Sequence, residues 1–306
     1  MTLRRGLAPA LAVLTLAGAA RADELAAVVT GSPAAEVVVV GASGQLWERG
    51  AGGDWLRARA GGVAADVQGG VWADGVVVVG KGAPPYRFDG ATWQAIRLGE
   101  RGRTTAGAGP AATVAIGRTT FLWQRGAWVR LGTASAPVVA VWAASESRGF
   151  IAAGGKLWRP VRKRLALYAA VDVTRFGAGQ APWAITAAAE LYDVTRRAVV
   201  PVTPGGVALA PQLVAVAPDG EPWVLGVRAD APVMARRSGG WVEVPAPPLA
   251  VDDEVVGWVV GQAGTSTLVT RQGGVWLRDA TGAWTAGTRR DALPSAPPGP
   301  GPARTP

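Results

Sequence analysis

Aliphatic and aromatic stretches, each followed by a Gly-rich turn, recur along this chain at intervals of about 38 residues, within the range of propeller blades and other repeat arrays. The unit is plainest in residues 36–58, EVVVVGASGQLWERGAGGDWLRA. A Val run at 37–40 leads into a Gly/Ser turn, then a segment ending Leu46-Trp47, then a second Gly-rich turn and a strand that begins at Trp55. Runs of β-branched and aromatic residues bounded by Gly clusters predict hairpins, here three strands and two turns.

Two landmarks keep the same beat. Closing strands begin near Trp55, Trp93, Trp128, Leu165, Val199, Trp241 and Trp284. The strands before them carry Leu46-Trp47, Tyr86-Arg87-Phe88, Leu122-Trp123, Leu157-Trp158, Leu191-Tyr192, Val233-Met234 and Val275-Trp276. A third strand is read at 76–79, 112–116, 149–152, 182–186, 222–225 and 266–270, and an innermost one at 25–30, 137–143, 213–217 and 255–260. Four strands in about 38 residues leave no room for helices. The predicted fold is all-β: a seven-bladed β-propeller of four-stranded antiparallel blades, with strands A to D running outward from the centre. Closure into a ring is expected because an open stack would expose long strand edges at both ends. The last blade reads as having four strands of its own, which predicts closure by blade packing.

The two ends read differently. Arg4-Arg5, the apolar stretch 7–16 and the Ala20-Arg21-Ala22 site predict a signal peptide over residues 1–22 and export to the periplasm or beyond. The propeller then spans 23–288, and the Pro-rich segment 289–306 is expected to be a disordered tail. No other run of about 18 apolar residues follows, so the mature chain is expected to be a soluble monomer without a transmembrane segment.

Composition narrows the chemistry. The chain has no Cys and no His, which removes disulfides, a lipid-bearing Cys, His-based triads and His metal sites; no metal and no cofactor is expected. Three of the cations behind the net charge of +9, Arg4, Arg5 and Arg21, belong to the signal segment. The rest form no basic stripe interleaved with aromatics, so nucleic acid is not an expected partner. The chain carries 14 Trp, each able to bury roughly 150–250 Å². Their recurrence at one repeat phase marks them as contacts between blades.

Blade 6 reads Leu213-Val-Ala-Val-Ala-Pro-Asp219-Gly220-Glu-Pro222-Trp223, and later Gly-Gly-Trp241. This resembles a tectonin-type propeller repeat, with a D-G-x-P-W pattern, a G-x-(I/L/V)-(Y/W) strand and a closing Trp. Ser43-Gly44-Gln45-Leu46-Trp47, Gly155-Lys156-Leu157-Trp158 and Gly274-Val275-Trp276 are similar to its second part. The turns Phe88-Asp89-Gly90-Ala91-Thr92-Trp93 and 279–284 resemble, more weakly, the Asp-box of sialidase-like propellers. Both resemblances imply the ring, and neither implies one activity, because propellers host many.

An enzyme would need groups this chain scarcely supplies. Its three Tyr, Tyr86, Tyr168 and Tyr192, fall on outer strands, away from where a sialidase-like nucleophile would sit. The acidic cluster Asp252-Asp253-Glu254 precedes the innermost strand of blade 7 and reads as a solvated turn, with a carbohydrate-active enzyme of sialidase or glycosidase type as the alternative reading. Basic residues of the C–D hairpins, Arg159, Arg162, Lys163, Arg164, Arg196 and Arg197, read as solvated caps on the outer rim. The turns between strands B and C differ, since five of seven place a cation near one phase: Lys81, Arg118, Lys156, Arg228 and Arg271. Rotation about the ring axis would gather these into a gapped cationic circle on one face, partly neutralised by the 252–254 acids. The expected function is a non-enzymatic, exported binding or scaffold propeller whose partner is an acidic glycan or an acidic protein surface.

Overall fold

The computed structural model describes residues 24–30, 37–49, 55–59, 63, 66–162, 164–250 and 253–290. The chain is a seven-bladed β-propeller in which every blade is a four-stranded antiparallel sheet. Blade 1 comprises Leu25–Thr30, Val37–Gly41, Leu46–Arg49 and Trp55–Arg59. Blades 2 to 7 cover residues 66–95, 104–133, 138–169, 173–199, 210–244 and 255–286. Outermost strands open at Trp55, Trp93, Trp241 and Trp284 as expected, and one residue ahead of Trp128, Leu165 and Val199 in blades 3 to 5. The signal segment 1–22 lies outside the described residues.

Seven clusters of buried side chains hold the ring, and each draws on two neighbouring blades. The closing Trp residues take part as expected: Trp93 joins blades 1 and 2, Trp128 blades 2 and 3, Trp241 blades 5 and 6, and Trp284 blades 6 and 7. Leu165 fills the same place between blades 3 and 4. At the seam between blades 7 and 1, Trp55 is fully buried with Leu25, Val39, Trp47, Val269 and Val275. The indole Nε1 of Trp241 and Trp284 donates to the carbonyls of Pro201 and Pro245, at 2.7 and 2.8 Å, tying each blade to the exit of the one before.

One backbone motif repeats between blades and also closes the ring. The first residue after strand B donates its N–H to the carbonyl at the start of its own blade's strand A: Ala42 to Glu24, Gly117 to Arg103 and Arg271 to Glu254, at 2.8–2.9 Å. The carbonyls of the same three residues accept from the next blade's strand A, from Val67, Val138 and Leu25 at 2.8–3.0 Å. The contact between Arg271 and Leu25 is therefore the ordinary inter-blade bond, made between the last blade and the first.

The C-terminal end corrects the sequence reading. Arg289–Arg290 forms a short strand parallel to Trp55–Arg59, the outer strand of blade 1, so blade 1 gains a fifth strand. Thr288 accepts the Trp55 N–H at 2.8 Å, and the Arg289 guanidinium stacks on the Trp47 ring at 5.3 Å. Closure thus combines blade packing with a strap from the C-terminus, and the segment expected to start at 289 as a tail gives its first two residues to the ring. The remainder, 291–306, lies outside the described residues. The C–D basic residues also do more than cap the rim: Arg197 of blade 5 stacks on Tyr168 of blade 4 at 4.1 Å, and Arg196 pairs with Asp193. Guanidinium packing on an aromatic face between blades recurs in Arg87 on Trp123, Arg237 on Trp183 and Arg278 on Trp223.

Candidate functional site

In an antiparallel blade, successive connections alternate between the two faces of the ring, so B–C turns share a face with the segments that lead into strand A. The ladder agrees, since Asp66 at the start of strand A in blade 2 lies opposite Lys81 at the end of strand B. All five cations expected from the turns are therefore on one face. They do not share one phase: Lys81 and Arg271 end or follow strand B, Arg118 lies in a two-residue turn, and Lys156 is the first residue of strand C.

Ion pairing divides the five, which breaks the expected circle. Arg271 grips Glu254 through two hydrogen bonds, from Nε at 2.7 Å and from a terminal nitrogen at 3.2 Å. Arg228 pairs with Glu243 on the outer strand of its own blade at 2.6 Å. Lys81, Arg118 and Lys156 are exposed and make no ion pair among the described residues. These three belong to consecutive blades 2, 3 and 4, so the free charge forms an arc over one side of the face. The neutralising acid in the 252–254 cluster is Glu254; Asp253 instead accepts the Ala250 N–H at 3.0 Å, and Asp252 is outside the described residues.

Acidic residues line the inner edge of the same face. Glu24, Asp66, Asp172 and Glu254 stand at or just before the first residue of strand A in blades 1, 2, 5 and 7. Sequence reasoning singled out only the last: the innermost strands of blades 2 and 5, Asp66–Trp72 and Val173–Phe176, were not located, and Glu24, ahead of the strand read at 25–30, was not singled out; an acid at that phase was the available signal. The Arg271 guanidinium beside Glu254 holds its carboxyl below the usual carboxylate range, against the effect of burial, with smaller help from Arg175. Arg271 is raised in turn by the hydrogen bond to Glu254, with Asp66 and Glu24 adding smaller contributions.

Because the folded pKa of Glu254 is depressed, this pair stabilises the ring above the unfolded value near 4.5, and the contribution disappears as the pH falls through the folded value. Both side chains are partly solvated, so the effect is small, under about 1 kcal/mol. Glu254→Gln should lower the unfolding free energy slightly at pH 7, and the difference from the parent should shrink as the pH is taken below about 4.5 and through the lower folded value. A pH series of urea melts checks this, and a constant difference at all pH values would contradict it.

The channel at the ring's centre holds a cavity of about 470 Å³ whose wall includes Gln68, Arg103, Arg175, Glu254, Trp258 and Arg271. A β-bulge shapes the wall. In six blades the A–B ladder slips by one residue early in strand A, between Leu25/Ala27, Val67/Gly69, Val138/Ala140, Val173/Arg175, Pro211/Leu213 and Val255/Gly257. A bulge bends the strand and re-aims the side chains beside it; in blade 5 the residue after the slip is Arg175, on the channel wall. A second cavity, of about 310 Å³, opens between blades 6 and 7 and shares Arg175, Leu213, Glu254 and Val255 with the channel. No group of three or more acids that could hold a metal ion occurs among the described residues.

Solved structures of similar shape share the ring and little sequence. A catalytically inactive virginiamycin B lyase from Staphylococcus aureus with quinupristin aligns at a TM-score of 0.61 and 11% identity, over 83% of this chain and 94% of that one. The WD40 β-propeller domain of Doa1 aligns at 0.57 and 14%, over 82% and 91%. YCF48 bound to D1 peptide aligns at 0.54 and 14%, over 82% and 92%. What they share with this chain is the fold. No family model matches the sequence, and neither does any curated protein.

Proposed function

We propose that this chain is an exported binding propeller, not an enzyme, and that an acidic partner docks on the arc formed by Lys81, Arg118 and Lys156. The observation that carries the reading is the division of the B–C cations, with three left exposed and unpaired on adjacent blades and two neutralised by Glu243 and Glu254. Clustered like charges raise the local potential and draw in an anionic surface in a salt-dependent way. An acidic protein surface suits the arc better than a glycan because two similar structures are of propellers in protein company, YCF48 bound to D1 peptide and the mitotic checkpoint complex. The inactive form of the virginiamycin B lyase carries alanine in place of a histidine, and this chain has no histidine to serve in that way. Arg4-Arg5, the apolar stretch 7–16 and Ala20-Arg21-Ala22 support export.

Retention on immobilised polyglutamate and on an anionic polysaccharide, across a salt series, tests the reading. Neutralising Lys81, Arg118 and Lys156 to Gln together should shift elution to much lower salt, with the larger shift on polyglutamate. The pair Arg228→Gln and Arg271→Gln should shift it little. Equal elution of the parent and the triple variant would overturn the proposal.

A further inference from the structure

The cleft between blades 6 and 7 is a separate site, because none of Lys81, Arg118 and Lys156 borders it. Its inner end meets the channel at Arg175, on the innermost strand of blade 5, and its outer end reaches Asp230 in the B–C turn of blade 6. Between them the wall is mainly apolar, formed by Leu213, Leu225, Val227 and Leu249, with Gln212 as an uncharged polar member. Neither end charge is held by a direct contact: Arg175 and Asp230 are exposed and make no hydrogen bond or ion pair through their side chains among the described residues, and Arg175 acts on Glu254 only at longer range. The other two acids at the cleft are engaged, Glu254 by Arg271 and Asp253 by the Ala250 N–H. A cation at one end, an apolar middle and an anion at the other end complement a ligand that carries an anion, an apolar group and a cation in that order.

Size narrows the class. Strands of one sheet lie about 4.8 Å apart, so within blade 6 the cleft runs on the order of 10 Å from strand A to the turn that carries Asp230, and Arg175, on the neighbouring blade 5, borders the strand A end of that span. Three residues of extended chain span about the same length, at roughly 3.3–3.6 Å each. A volume of about 310 Å³ is at the small end of ligand sites. We propose that this cleft binds a short peptide with both ends free and an apolar side chain between them, its carboxylate on Arg175 and its ammonium on Asp230.

Calorimetric titration of the full chain with the tripeptide Ala-Leu-Ala, its N-acetyl form and its C-terminal amide tests the proposal. Blocking either end should weaken binding about tenfold, the loss of one charge-assisted hydrogen bond. Arg175→Gln should bind the acid and the amide alike while still preferring a free amine. Asp230→Asn should bind the free and acetylated amines alike while still preferring the acid. Both positions are exposed, and Asn tolerates the left-handed backbone of residue 230, whose φ is 63°, so both variants should fold. The Lys81, Arg118, Lys156 triple variant should bind the tripeptide as the parent does, which keeps this test apart from that of the arc. Equal binding of all three peptides, or no binding of any at millimolar concentration, would overturn the assignment.

Discussion

Trp55→Ala should destabilise the propeller by about 3–5 kcal/mol, the range for a large aromatic side chain removed from a packed core. Trp55 is fully buried at the seam where the last blade meets the first, among side chains of both. Its Nε1 has no hydrogen-bond partner among the described residues, and a side chain at Gly287 would lie only 2.9 Å from it. Shape and apolar area therefore make this contact rather than a hydrogen bond, and Trp55→Phe should cost much less. Trp128 stands at the same repeat phase but is half-buried, so Trp128→Ala should cost clearly less than Trp55→Ala. Urea unfolding of the three variants decides the matter. A loss at Trp55 no larger than that at Trp128 would show that the seam is not a packed interface.

Cutting the chain after Ala286 should cost about 2–3 kcal/mol more than cutting it after Arg290. The difference between the two truncations isolates four residues. They supply the carbonyl of Thr288 to Trp55, two ladder residues and the Arg289 stack on Trp47. A hydrogen bond is worth about 1 kcal/mol net, a cation–π contact about 0.5–1 kcal/mol at an exposed site, and the uncovering of Trp55 adds to both. Hydrogen exchange should quicken in the outer strand of blade 1 before it does in blades 3 to 5. Equal stability of the two truncated chains would mean that the strap is incidental to closure.

The ring was legible because strands B are buried between neighbouring blades and are mostly apolar. Val76–Lys81 and Ser266–Thr270 are almost wholly buried and stand out in the sequence. Innermost strands border the channel, where that demand lapses. Asp66–Trp72 holds two Gly, Thr104–Ala106 has three residues, and Val173–Phe176 places Thr174 and Arg175 in the exposed middle of the strand. Those three strands were missed, and with them Asp66 and Asp172, the acids at the leading ends of the first and the third. The turn chemistry read well: Asp89 and Asp279, placed by the Asp-box-like pattern, each accept two backbone N–H groups of their own turn.

The candidate face was half legible. Residue type and repeat phase put five cations on one side of the ring, and they are there. Which of them stay free depends on partners far away in sequence, Glu243 fifteen residues from Arg228 and Glu254 seventeen from Arg271. Spacing alone carries no information on such pairs. The C-terminal strap was hidden for a similar reason, since a two-residue strand ahead of a Pro-rich segment has no pattern of its own.

Hydrogen–deuterium exchange of the whole chain with and without polyglutamate tests the binding face most directly. Protection is expected in the B–C turns of blades 2, 3 and 4, around residues 80–82, 117–119 and 154–157, and is expected to fade as salt is raised. Protection confined to the opposite face, or spread equally over the B–C turns of blades 6 and 7, would contradict the account.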